Sequence, residues 1–306
     1  MGCFRMRKLN DKFITNLQAG ELNCLLRTVK SDDTLCLELR DNYINVYYRG
    51  GNLLTIKQEG DRYIFYFDKH YCINNEGMWR SPDLASFTRI EDYISAFPLL
   101  KREMDHWFSK NQKLEREFQQ LILRENNCST IANDTDYFIS DIEYANQENK
   151  SRFDMVGIKW SSTAAARKNV EAPSLALFEL KYGDSAMTGA AGIVKHFIDI
   201  EKFVNSEKMI SLYSEVTEQF NQKVSLGLMG SIDRKIKIDQ SKKPEFIIIC
   251  VNHKPASSTM KRELRMALET CPNLLNKIDI KMAESSLMGY GLYESCMLPL
   301  FEYINL

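Results

Sequence analysis

Glu179 and Lys181 stand two residues apart near the end of the run 175–182, whose other members are apolar or aromatic. Side chains two apart on a strand point the same way, so both would share a face with Leu175 and Leu177. An acid and a base closing an apolar face are costly to desolvate unless they pair or hold an ion. A second carboxylate, Asp154, lies 25 residues earlier near the start of another strand-like run, 153–160. The polar segment 146–151 joins that run to a preceding one, 137–145. If the turn is centred between Glu148 and Asn149, Glu143 faces Asp154 across the hairpin. Like charges at cross-strand distance are destabilising, and a divalent cation would relieve them. Mg²⁺, or Mn²⁺ in its place, takes oxygen ligands from one or two carboxylates, completed by water and phosphate. The expected metal ligands are therefore Asp154, Glu179 and Glu143. Such an ion polarises a phosphoryl oxygen and lowers the pKa of a bound water. Lys181 is expected to position that water or to stabilise charge developing on the phosphate. Together these residues suit hydrolysis of a phosphodiester without a covalent intermediate.

The elements that must position these residues can be read from periodicity. Residues 22–72 read as short strands: period-two runs punctuated by Asp41-Asn42, Gly50-Gly51 and Gly60-Asp61, an antiparallel meander. Their many aromatics are expected to build a small core rather than to stack on bases. From Arg89 the pattern turns helical. Pro98 is expected to interrupt it, with a long helix following to about Arg124 on which Trp107, Leu114, Phe118, Leu121 and Ile122 form one stripe. Strands are expected at 137–145, 153–160 and 174–182. Helices follow at 188–205, marked by Ile193, Phe197, Ile200 and Val204, and at 207–228. The nearly continuous apolar run 244–251 predicts a strand buried on both faces, a helix is expected at 257–270 and a last strand at 277–283. The organisation expected is an N-terminal antiparallel β domain over 1–88, linking helices over 89–112 and an α/β domain over 113–306.

An acidic helix, then Asp154, then Glu179-Leu180-Lys181 on the following strand, then a helix, resembles the PD-(D/E)xK nuclease superfamily over roughly residues 110–252. The resemblance implies a restriction-endonuclease-like mixed sheet flanked by helices, α/β in its core and α+β with the β domain in front. It implies catalytic roles for Asp154, Glu179 and Lys181, with Mg²⁺ or Mn²⁺ as cofactor and nucleic acid, DNA ahead of RNA, as partner. The signature proline is replaced by Phe153. The family often carries a Glu on its first core helix, for which Glu115 and Glu117 are the candidates. It also often places a polar residue on the helix after the ExK strand. His196, bordering the apolar stripe of that helix, fits better than Lys195, which lies nearly opposite it. The alternative expectation is a catalytically inactive nuclease-fold module that binds nucleic acid or a protein.

Composition bounds the rest. The 306 residues carry 40 basic and 41 acidic side chains, a formal net charge of -1, so no global field draws the chain to nucleic acid or membrane. The eight cysteines are scattered without a CxxC pair, which favours neither a disulfide framework nor a structural zinc site. Cys250 and His253 share a lone C-x-x-H spacing with no second half-site. The opening residues lack the apolar run of a signal peptide, and no stretch has the ~20 apolar residues needed to span a bilayer. A cytoplasmic chain with reduced thiols is expected. Phosphate-binding GxxxxGK and GxGxxG loops, the GxSxG elbow and the HExxH motif are all missing, and a small-molecule hydrolase finds no nucleophile–base pair.

Overall fold

The computed structural model describes residues 6–75, 77–128, 135–145, 152–168, 171–230, 232–251, 257–285, 294 and 297–305. The hairpin turn 146–151 and His253 lie outside them. The chain divides into two units, residues 1–120 with 225–228 and residues 121–224 with 229–306.

In the first unit, β1 (Leu35–Leu39), β2 (Tyr43–Tyr48), β3 (Gly51–Glu59) and β4 (Arg62–Tyr66) form an antiparallel meander in sequence order. Two helices precede it, α1 (Asp11–Ala19) and α2 (Asn23–Ser31), where a strand was expected from residue 22. The Asn10 side chain caps α1 by accepting from Phe13 N, and the helix buries Phe13 and Leu17, four apart. Leu25, Leu26 and Val29 do the same for α2. Nine residues give too few turns for a helical period to stand out from β-compatible Leu and Val.

α3 (Ile90–Lys110) runs straight through Pro98, and the break comes instead at Asn111, whose N–H bonds Trp107 O. An internal proline costs about 3 kcal/mol. α3 buries Tyr93, Phe97, Leu100, Met104 and Phe108, and each such side chain returns about 1.5–3 kcal/mol. Burial wins. The same residues share a core with Leu37, Val46 and Leu54 of the sheet. Residues 89–112 are thus part of the first unit's core rather than a linker, and the stripe expected over 107–122 is split between α3 and α4 (Leu114–Asn127).

The second unit is a mixed α/β layer structure. Its elements are β5 (Tyr137–Ala145), β6 (Arg152–Lys159), α5 (Ala164–Lys168), β7 (Ser174–Lys181), α6 (Ile193–Val204), α7 (Lys208–Ser225), β8 (Glu245–Val251), α8 (Ser257–Thr270), β9 (Asp279–Ser285), β10 (Leu298–Pro299) and α9 (Leu300–Asn305). The sheet order is β10-β9-β8-β7-β6-β5. β5, β6 and β7 are antiparallel, β7, β8 and β9 are parallel, and β10 returns antiparallel to β9. β7 and β8 are buried along their whole length, as strands covered on both faces must be. On one face Val156, Leu177, Phe246 and Ile248 pack against Phe197 of α6, Phe220 of α7 and Leu264 of α8. Gly157 sits where β5 slips register, and a Cβ there would lie 2.1 Å from Phe138 O. Only glycine allows the two strands to approach so closely. Arg167 of α5, expected in a loop, donates to Thr135 O and Trp160 O at 2.8 and 2.9 Å and lies over the Phe138 and Trp160 rings. Its charge is therefore spent inside the fold. Among the described residues no helix is long and apolar enough to cross a membrane.

Candidate active site

The end of the six-stranded sheet at which β7 stops gathers the chemistry. The β6–β7 ladder closes at Met155↔Phe178. Continued one step further, the same register would set Asp154 opposite Glu179. The ladder stops here because Asp154 intrudes on it: its Oδ2 accepts the Leu180 N–H at 2.7 Å, where a strand carbonyl would otherwise sit. The side chain thereby ends the pairing of β6 with β7, while β6 stays paired with β5 as far as Arg152.

Glu179 and Lys181 point into the helical layer. Lys181 Nζ donates to Glu179 Oε1 at 2.7 Å, and both side chains are almost fully buried. A lone charge at such depth would cost several kcal/mol, so each requires the other. His196, in the first turn of α6, brings Nε2 to 2.8 Å from the same Oε1 and 3.0 Å from Lys181 Nζ. With its proton on Nδ1 the ring accepts from Lys181; with the proton on Nε2 it donates to Glu179. The His196 side chain is 22% exposed against 5% for Glu179, so solvent reaches the trio from the histidine side. Lys195 turns away and pairs with Asp199 one turn along its own helix.

The hairpin departs from the expected pairing at one point. Ile142↔Met155 and Tyr144↔Phe153 keep the expected register on both sides of Glu143. Glu143 itself adopts φ 53° and leaves the pleat, so no Glu143↔Asp154 pair forms in the ladder. Among the described residues no group of three His, Cys, Asp or Glu side chains gathers to hold a metal. The carboxylates that flank Leu180 at this strand end are Asp154, through its bond to Leu180 N, and Glu179, its chain neighbour. Two hard carboxylates suit Mg²⁺ or Mn²⁺, which complete their shells with water and phosphate, and do not make an all-protein cage. Glu115 and Glu117 fall in the first unit, where Glu117 Oε1 accepts from Arg49 Nε at 2.9 Å.

Compared with protein-family models, curated proteins and solved structures, the chain has no match. The site stands on its own geometry.

That geometry includes a row the periodicity did not point to. The parallel registers place Lys181 beside Cys250 and Cys250 beside Glu284. The expected strand 277–283 stopped one residue short of this carboxylate. Burial pushes the Cys250 thiol up to about 12, Glu284 adds to the rise and Lys181 opposes it. At pH 8 only about one such thiol in ten thousand is ionised, and the thiolate is the reactive form. Iodoacetamide at pH 8 should therefore label the exposed Cys128 and leave Cys250 unmodified in the folded chain. Peptide mass spectrometry checks this; rapid labelling of Cys250 would contradict the buried row.

Proposed function

We propose that this chain is a metal-dependent nuclease of the PD-(D/E)xK type, hydrolysing phosphodiester bonds of nucleic acid, DNA ahead of RNA. The observation that carries the proposal is that Asp154 accepts from the backbone N–H of Leu180, the residue between the buried Glu179 and Lys181 pair, on adjacent strands at one end of a mixed sheet. The succession α4, β5, β6, β7, α6, β8 supports a restriction-endonuclease-like core around them. Asp154 and Glu179 would hold Mg²⁺ or Mn²⁺, which when bound would supply Lewis-acid polarisation of the scissile phosphate and acidify water. Lys181 would orient the attacking water and stabilise charge on the phosphate oxygens. His196 would hold the Lys181 ammonium in place from the solvent side. Water adds its oxygen to phosphorus and one ester P–O bond breaks, leaving one phosphate end and one hydroxyl end. A cytoplasmic setting belongs to the proposal and is supported by the free state of all six cysteines among the described residues.

Calorimetric titration with Mg²⁺ and Mn²⁺, beside incubation with plasmid DNA, single-stranded DNA and RNA, tests the proposal. Cleavage of at least one substrate is expected, dependent on the cation and lost with its binding in Glu179→Gln, because a neutral amide is a poorer hard ligand. No cation binding and no cleavage of any substrate would overturn it. A second reading, a binding module that keeps this fold without catalysis, is favoured by one observation: Asp154 and Glu179 already satisfy partners within the protein. It predicts nucleic-acid binding that is indifferent to the cation.

A further inference from the structure

β5 obeys an unusual rhythm. Side chains an odd number of residues apart on a strand normally face opposite sides of the sheet. Phe138, Asp141 and Tyr144, spaced by three, nevertheless all meet α7. The Phe138 and Phe220 rings stand edge to face at 6.1 Å. Gln219 Nε2 donates to Asp141 Oδ2 at 3.1 Å, and Tyr144 OH donates to Glu215 Oε2 at 3.2 Å. All four residues of these two bonds are buried. The partner strand keeps the same rhythm, because Phe153 and Val156 both belong to the core under the helices. Ile142 and Met155, paired between them, are buried outside that core cluster.

Two backbone irregularities reset the alternation. The register slips between Ile139 and Asp141, which accounts for the first interval of three. The second interval contains Glu143 at φ 53°, a conformation that costs a residue with a Cβ. A left-handed residue inside a strand persists only if its surroundings hold it there. Glu215 and Gln219 are one helical turn apart, and they grip β5 on either side of Glu143. The kink so held is the one at which Asp154, across the hairpin, leaves the pleat to cap Leu180 N.

We infer that Glu215 and Gln219 of α7 form a polar clamp on β5 that holds Glu143 left-handed and, through the paired kink, sets Asp154 for cation binding. Both are positioning residues. The inference rests on the nuclease reading for the cation, but the clamp itself can be tested without it.

The test uses the full chain and two readouts, melting temperature and Mn²⁺ affinity. If the clamp stores strain at Glu143, Glu143→Gly relieves it and should raise Tm by about 2 °C, after allowing for the entropy of glycine. Tyr144→Phe removes one jaw and lets the backbone relax. In that background Glu143→Gly should lower Tm, since only the glycine cost remains. Equal shifts in the two backgrounds would overturn the clamp. Tyr144→Phe and Glu215→Leu should each weaken Mn²⁺ binding about tenfold, the scale for loss of outer-shell support. Glu215→Gln, which still offers Tyr144 an acceptor, should stay within about twofold of the parent. A role confined to stability would lower Tm in Tyr144→Phe and leave Mn²⁺ affinity, measured well below Tm, unchanged; that result overturns the positioning role. If the parent binds no Mn²⁺, the nuclease reading has failed, and the sign change in Tm alone upholds the clamp.

Discussion

Lys181→Met is expected to lower the cleavage rate by roughly 10² to 10³ at saturating Mg²⁺, the scale for losing one preorganised electrostatic donor. Methionine keeps much of the lysine stem, so the loss falls on the ammonium rather than on packing. The same change strips Glu179 of a partner 2.7 Å away in a buried setting. Breaking one side of a buried pair costs about 3–5 kcal/mol, so Tm falls as well. The two losses respond differently to metal. A carboxylate left without its ammonium is a better seat for a divalent cation, so added Mg²⁺ should return much of the stability. It should return none of the rate, because the donor to water and phosphate is gone. Undiminished cleavage by Lys181→Met, on a substrate the parent cleaves, would reject the proposed role of Lys181 and leave the fold as described.

The largest effect on stability is expected from Glu179→Leu. That variant removes the carboxylate 2.7 Å from the Lys181 ammonium, which is 3% exposed, a loss of about 3–5 kcal/mol. The double variant Glu179→Leu/Lys181→Met should nonetheless recover to within about 1 kcal/mol of the parent or exceed it, because apolar replacement of a whole buried pair is often neutral or stabilising. His196 loses its contacts with both side chains in that variant, but its half-open position lets the ring turn to solvent. Urea unfolding of the parent, the two singles and the double closes the cycle. Stability in the double as low as the sum of the singles would show that the two charges are not coupled. Recovery of the fold with complete loss of cleavage would mean that the pair is kept for chemistry at no benefit to folding.

Much of the second unit was legible because its strands are long and bounded by polar turns. The extent of β5 and the register across Ile142↔Met155 followed from placing one turn. Asp154, Glu179 and Lys181 were legible because charge on an apolar strand face is conspicuous. Glu143 shows the limit. Nothing in the residue type signals φ 53°, since the conformation is imposed by contacts from α7, about seventy residues further along. Glu284 was illegible for a related reason: its row exists only through two parallel pairings that no local pattern records. In the first unit, α1 and α2 were missed because each buries only two or three side chains, too few to establish a period.

The parallel pairing of β7 with β8 also sets an order of events in folding. The β5–β6 hairpin joins neighbours in the chain and closes a short loop. β7 meets β8 only when Ala176 finds Glu245, after α6, α7 and the segment beyond them have been accommodated. Long closures of this kind carry their entropy cost before any contact rewards it, and parallel sheets form slowly for that reason. Until β8 docks, β7 has one open edge. Glu179 and Lys181, which register with Ile248 and Cys250, then lack that flanking strand. Full enclosure of the charged pair thus waits for the slow parallel pairing, when the rest of the sheet that bears its cost is in place.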